Sequence, residues 1–226
     1  NLESTRHGLS LTISGLGREL DISTGLKGMF NGANILAAVS AAWQFNIDNV
    51  VIKQAFRTIK NVPGRFQSVD RGQKFQVVID YAHTPDGLRQ LLKSARAVTT
   101  GKLIIVFGCG GDRDRDKRPL MGAIAAELSD EMIITSDNPR SEAPEEIIDD
   151  IVSGLISDQC QYNIVIDRRQ AIYEAINRAK KGDMVVIAGK GHETGQIFAD
   201  KVVSFNDVEE VEKILSEIIS DKSKSA

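Results

Sequence analysis

The 226 residues contain only two cysteines, Cys109 and Cys160, and no Cys-x-x-Cys pair. That scarcity argues against a zinc site or a disulfide framework and leaves both as reduced thiols. A preponderance of one charge is also missing. The net charge is −3, acids and bases are interspersed, and even the densest charged run, 112–118, mixes both signs. No basic face is therefore set out for nucleic acid. No apolar run approaches the roughly 20 residues needed to span a bilayer, and the opening Asn1-Leu2-Glu3-Ser4-Thr5 lacks a basic segment followed by an apolar one. A cytoplasmic protein, with neither membrane nor nucleic acid as partner, is the expectation. The signatures G-x-x-x-x-G-K-[ST], G-x-G-x-x-G and G-x-S-x-G are all absent. The last absence, with no convincing nucleophile, sets aside an α/β hydrolase. The first residue is Asn rather than Met and the polar opening carries no capped element, which suggests a fragment or a cut chain.

What is present is a hydrophobic share of 42%, enough for a real core. Residues 9–13 and 19–22 look like two short strands joined by Ser14-Gly15-Leu16-Gly17. From Asn31, an expected N-cap, an alanine-rich amphipathic helix begins, and a second helix is expected over 48–59. Val62-Pro63-Gly64 then breaks the chain and places a boundary between segments 1–62 and 63–226. Beyond it strands and helices alternate. Strands are expected over 75–80, 103–107, 132–135, 163–166 and 184–188; helices over 85–97, 119–128, 144–156, 169–180 and 208–219. Short apolar strands alternating with helices of this length imply βαβ units, hence an α/β fold with a doubly wound, mostly parallel sheet.

Ligands of such sheets bind where strands end, so the loops after the strands carry the functional reading. After one strand comes Asp137-Asn138-Pro139-Arg140, a carboxylate, an amide and a guanidinium fork within four residues. That set suits a ligand bearing both a carboxylate and an ammonium, an amino acid, although an Asx turn before the next helix explains Asp137 or Asn138 without Arg140. Gly108-Cys109-Gly110-Gly111 lets backbone N–H groups approach an anion, or simply makes a tight turn; in the charged run behind it, Arg113 lies nearest the strand end. Gly189-Lys190-Gly191-His192-Glu193 places three ionisable groups after an apolar strand, and Glu193 suits an ammonium, the alternative being a hydrogen-bonded turn pair. In Asp80-Tyr81-Ala82-His83-Thr84-Pro85, Thr84 and Pro85 read as a helix cap and first turn. Asp80, Tyr81 and His83 are left for nucleotide contact, a strand-end Asp accepting from ribose and an aromatic stacking on a base. Asn34 falls in a helix start, and Arg65 follows the break at the boundary.

Taken in order, DYAHTPDGL, FGCGGDRDRDKRPLMG, TSDNPRSE and AGKGHETGQ resemble the C-terminal half of the Mur ligase family, and more narrowly its diaminopimelate-adding branch. The resemblance runs from about Gly25 to the end. It implies a Rossmann-like C-terminal domain over 63–226 that binds the amino acid, preceded over 1–62 by the tail of the family's central α/β ATPase domain. It implies ATP-dependent ligation of meso-2,6-diaminopimelate to UDP-N-acetylmuramoyl-L-alanyl-D-glutamate in peptidoglycan precursor synthesis, through an acyl phosphate attacked by the incoming amine. Carried over residue by residue, Arg113, Asp137, Asn138, Pro139, Arg140, Gly189 and Glu193 become the meso-diaminopimelate pocket. Asn34, Arg65, Asp80, Tyr81 and His83 become contacts of the ATP cleft. Lysine lacks the second carboxylate of diaminopimelate and leaves a bidentate arginine unpaired, and sites of that kind reject such analogues by about 10⁴. The sequence departs from the family pattern in having no P-loop, no N-terminal uridine-nucleotide domain and no carbamylated lysine or magnesium-binding acids. Magnesium ligands and catalytic residues are thus expected upstream, and the chain alone is expected to be an inactive monomer that binds small molecules. The competing expectation is a non-catalytic nucleotide-binding or scaffold module derived from such a ligase.

Overall fold

Alternating apolar and polar residues build the first part of the molecule, whereas unbroken apolar runs build the second. In the computed structural model, which describes residues 1–5, 8–59, 61–155 and 160–224, the chain forms two compact units, Asn1–Val62 and Pro63–Ala226.

In the first unit β1 (Leu2–Thr5), β2 (Gly8–Gly15) and β3 (Arg18–Thr24) form an antiparallel sheet in the order β1-β2-β3. Leu9, Leu11 and Ile13 of β2, with Leu20 and Ile22 of β3, alternate onto one buried face, as a sheet covered on one side requires. Leu16 and Gly17 both have positive φ, 52° and 69°, between the paired residues Gly15 and Arg18. That is the two-residue hairpin turn whose twist matches the strands. Helices α1 (Phe30–Gln44) and α2 (Asn49–Thr58) supply Ile35, Val39, Trp43, Ile52 and Phe56 to the same core. Asp48 caps α2 by accepting from Val50 N at 2.8 Å. Asn31 does not cap α1. The helix begins one residue earlier behind Met29, which makes no side-chain cap, and Asn31 Nδ2 instead donates to Lys27 O at 2.7 Å.

In the second unit β4 (Gln67–Val69) and β5 (Gln76–Asp80) are followed by α3 (Pro85–Arg96), β6 (Leu103–Phe107), α4 (Lys117–Leu128), β7 (Glu131–Ile134) and α5 (Pro144–Val152). Then come β8 (Gln161–Ile164), α6 (Arg168–Arg178), β9 (Met184–Ala188), the hairpin β10 (Gly195–Ile197) and β11 (Val202–Ser204), and α7 (Asp207–Lys224). The six-stranded sheet has the order β4-β5-β9-β6-β7-β8, parallel throughout except at the edge strand β4. β6 and β9 are buried at every residue, the signature of strands covered on both faces. Ala171, Ile172 and Ile176 of α6 and Val211, Ile214 and Leu215 of α7 pack against Val77, Ile79, Val106 and Ile187, and α3, α4 and α5 form the other helical layer. The doubly wound, mostly parallel α/β sheet is therefore present.

Local differences from the sequence reading have simple causes. The strand expected over 163–166 is Gln161–Ile164, an edge strand exposed at all four positions, where no buried face fixes the register. The helix expected over 144–156 ends at Val152, and Ile156 lies outside the described residues. Helix α4 starts at Lys117 rather than 119, since Pro119 in its first turn has no intrahelical bond to lose. Strands β1, β4, β10 and β11 are three or four residues long and leave no periodic signal.

Candidate functional site

β9, last of the parallel strands in the chain, lies between β5 and β6, so strand order reverses at this point. The loops after β5, β6, β7 and β9 consequently meet at one edge, where doubly wound sheets bind ligands. There a cleft of about 490 Å³ is lined by Tyr81, His83, Thr84, Gly108, Cys109, Gly110, Arg113, Asp114, Lys117, Asp137, Asn138, Arg140, Gly189 and Glu193. Eight of the residues singled out in the sequence line it: Tyr81, His83, Arg113, Asp137, Asn138, Arg140, Gly189 and Glu193. Pro139 is buried just behind, with its carbonyl against Gly111, where a Cβ has no room. Arg65 and Asp80 belong to the same unit without lining the cleft. Asn34 belongs to the first unit, where it is exposed on α1 and donates to Asn31 Oδ1 at 3.0 Å.

The loop after β7 is bent by Arg140, a non-glycine residue at φ 53°. Such strain of roughly 1–3 kcal/mol persists only when its surroundings enforce it. They do here: Arg140 N donates to Ile197 O at 3.0 Å, and Arg140 Nη1 donates to Gly111 O at 2.8 Å. The guanidinium is half-buried beside the loop after β6. Arg113 is exposed, lines the cleft and donates to Asp112 O at 2.9 Å through Nη1.

Asn138 and Glu193 are joined through a residue that the sequence did not distinguish. Lys190 is fully buried, and its Nζ donates to Asn138 Oδ1 at 2.9 Å, Glu193 Oε2 at 3.0 Å and Gly195 O at 2.7 Å. Asn138 Nδ2 donates to the same Glu193 oxygen at 2.8 Å, and its Oδ1 also accepts from Ile197 N at 2.9 Å. This network fixes which way the amide and the carboxylate face. Against burial, which acts the other way, the bonds from Asn138 and Lys190 and the charge of Arg140 hold the Glu193 carboxyl below its ordinary value. Asp137 is buried 7% exposed, and among the described residues no donor hydrogen-bonds to its carboxylate. Burial pushes its carboxyl up, opposed by the charges of Arg168 and Lys190. Gly189, at φ 113°, leaves room for it: a Cβ there would stand 2.5 Å from Asp137 Oδ2.

The other wall is aromatic. The Tyr81 ring lies 4.5 Å from His83 and 5.4 Å from His192 by centroids, and the Arg65 guanidinium sits 5.0 Å above it. Lys117 Nζ donates to His83 O at 2.7 Å, tying the loop after β5 to α4. Asp80 serves the backbone: Oδ2 accepts from Phe66 N at 2.7 Å and Oδ1 from Ala82 N at 2.8 Å. It thereby places both Arg65 and Tyr81. Cys109 contributes packing rather than a nucleophile, since burial pushes its thiol up to about 12 and its Sγ lies 3.7 Å from Met121 Sδ.

Chemically, the cleft offers the guanidinium groups of Arg113 and Arg140, the ammonium of Lys117 and the carboxylates of Asp114, Asp137 and Glu193 around one space, with the Tyr81 and His83 rings beside them. Residues 64–191 match the family model described as Mur ligase, glutamate ligase domain. The chain is 50% identical over 206 residues to the UDP-N-acetylmuramoyl-L-alanyl-D-glutamate--2,6-diaminopimelate ligase of Syntrophomonas wolfei, covering 91% of this chain and 41% of that protein. It is 48% identical over 215 residues to the ligase of the same name from Aquifex aeolicus, covering 95% and 44%. A solved structure of a protein with that name superimposes with a TM-score of 0.71 at 38% identity, over 96% of this chain and 44% of the other. A folylpolyglutamate synthase from Mycobacterium tuberculosis, solved with ADP and AMPPCP, shares the fold with a TM-score of 0.67 at 23% identity, over 84% and 44%. The chain spans less than half the length of the curated relatives it matches.

Proposed function

The chain belongs to the Mur ligase family, and we propose that it supplies the amino-acid-binding half, and part of the ATP cleft, of a ligase that joins meso-2,6-diaminopimelate to UDP-N-acetylmuramoyl-L-alanyl-D-glutamate in peptidoglycan precursor synthesis. One observation carries this reading: Arg113, Arg140, Asp137 and Glu193 converge on a single cleft. Diaminopimelate carries two carboxylates and two ammonium groups, and these four side chains offer it groups of both opposite signs. Arg140 and Arg113 take carboxylates through charge-assisted bonds, Glu193 and Asp137 take ammonium, and Asn138 and the loop from Pro139 orient them. Lysine would leave one guanidinium without a partner.

The nucleotide contacts of the second unit in this reading are Arg65, Tyr81 and His83, with Asp80 holding the first two in place; Asn34 is the one that falls within the first unit taken by itself. ATP, with magnesium, supplies the phosphoryl group that activates the glutamyl carboxylate, through residues that these 226 do not include. What this chain contributes is position: it holds the diaminopimelate amine where an acyl phosphate can be attacked. The setting would be the cytoplasm, in support of cell-wall growth, cell shape and division. Among the described residues no helix is long and apolar enough to cross a membrane.

Arg140→Ala in the full-length ligase tests the assignment. The diaminopimelate KM is expected to rise about 10²-fold or more while the ATP KM stays nearly unchanged. Equal effects on both would reject the pocket, and nucleotide binding without amino-acid binding would favour a module that has lost the chemistry.

A further inference from the structure

Arg168, the first residue of α6, is fully buried. It grips Asp207, at the start of α7, through two bonds of 2.8 Å, Nε to Oδ1 and Nη2 to Oδ2. Nη2 also donates to Ala188 O at 3.1 Å, the last residue of β9 and the one before Gly189. Its Nη1 is buried with no hydrogen-bond partner among the described residues. A charged donor left unpaired in the interior is costly and calls for an explanation. Asp137 is a close neighbour of this arrangement: its Oδ2 lies against Gly189, the residue next to the carbonyl that Arg168 holds, and among the described residues no donor hydrogen-bonds to it.

We propose that Arg168 is a positioning residue for the ligand pocket, fixing the end of β9 under Gly189 and placing its positive charge behind the buried Asp137 carboxyl that faces the ligand. The ligand clause rests on the amino-acid reading above; the effect on Asp137 does not. Four charged groups act on Asp137: Arg168 and Lys190 favour its ionised form, Glu193 and Asp207 oppose it. Arg168 is the largest of the four, so its removal should tip the balance.

Removing Arg168 alone would strand Asp207, so two variants of the 226-residue chain are compared, Asp207→Asn and Arg168→Met/Asp207→Asn. They differ only in residue 168. The titration of Asp137 is read by carbon-13 NMR of its side-chain carboxyl without ligand, assigned with Asp137→Asn. The midpoint is expected to be at least about one pH unit higher in the double variant, a tenfold change in proton affinity, and Arg168→Lys should stay near wild type. Equal midpoints in the two variants would overturn the proposal. Binding of meso-diaminopimelate is measured alongside: in the double variant, affinity at neutral pH should fall about tenfold or more even where thermal stability has recovered. Recovery of both together would make Arg168 merely structural. Failure of wild type to bind the amino acid would instead overturn the pocket reading, with the carboxyl titration still deciding the role of Arg168.

Discussion

Asp80 ends β5 and Asp137 lies in the loop after β7, two parallel strands of one sheet, and burial pushes both carboxyls up. Their surroundings are otherwise opposite. Asp80 gives each oxygen to a backbone N–H, from Phe66 and Ala82, and does not line the cleft. Asp137 receives no hydrogen bond among the described residues and faces the cleft beside Gly189. The same residue type thus stands in two settings: one carboxylate binds backbone N–H groups, and the other is left facing the cleft. The arginines repeat the contrast. Arg118 is fully buried against Glu142 and Asp150, whereas Arg113 and Arg140 keep donors facing the cleft.

The largest effect that would sharpen this comparison is on Asp80. Asp80→Ala leaves two buried N–H groups unpaired and should destabilise the second unit by about 2–4 kcal/mol, seen as a lower melting temperature. An unchanged melting temperature would break the contrast. Asp137→Asn should do the reverse. A carboxyl raised on folding adds stability only at low pH and loses that contribution as pH rises through its folded value. Replacing it should therefore hold or raise the melting temperature at pH 7, while weakening meso-diaminopimelate binding about tenfold or more. A smaller effect is expected at Glu142, which Arg118 holds down to about 2 from an ordinary 4.5. Its stabilisation is present above 4.5 and lost as pH falls toward 2, so Glu142→Gln should flatten the acid limb of melting temperature against pH. An acid limb identical to wild type would show that the Arg118 cluster does not contribute to stability.

Much of the fold was legible because fully buried strands read as apolar runs and because proline, glycine and capping residues punctuate them. Thr84 with Pro85 marks the start of α3 as expected, Thr84 Oγ1 accepting from Gly87 N at 3.2 Å. Asn31 misled because a cap-forming residue near a helix start can sit inside the first turn. Strand-end loops showed where to look for a site, since a parallel sheet gathers them at one edge. What could not be read was which charges are buried. Lys190 looks like any glycine-flanked surface lysine, and the partner of Arg168 lies 39 residues away at Asp207. Only packing reveals that both lie beneath the cleft. The backbone bonds of Asp80 could not be read either, since the one from Phe66 N depends on Phe66 folding back at φ 45°.

The central claim is that the charge pattern around Asp137 and Arg140 selects an amino acid with an additional carboxylate. Titration calorimetry of the 226-residue chain with meso-diaminopimelate and with L-lysine tests it most directly. The account predicts that diaminopimelate binds about 10²-fold or more tightly than lysine and that Arg140→Ala removes the difference. Equal affinity for the two, or diaminopimelate binding unaffected by Arg140→Ala, would contradict it.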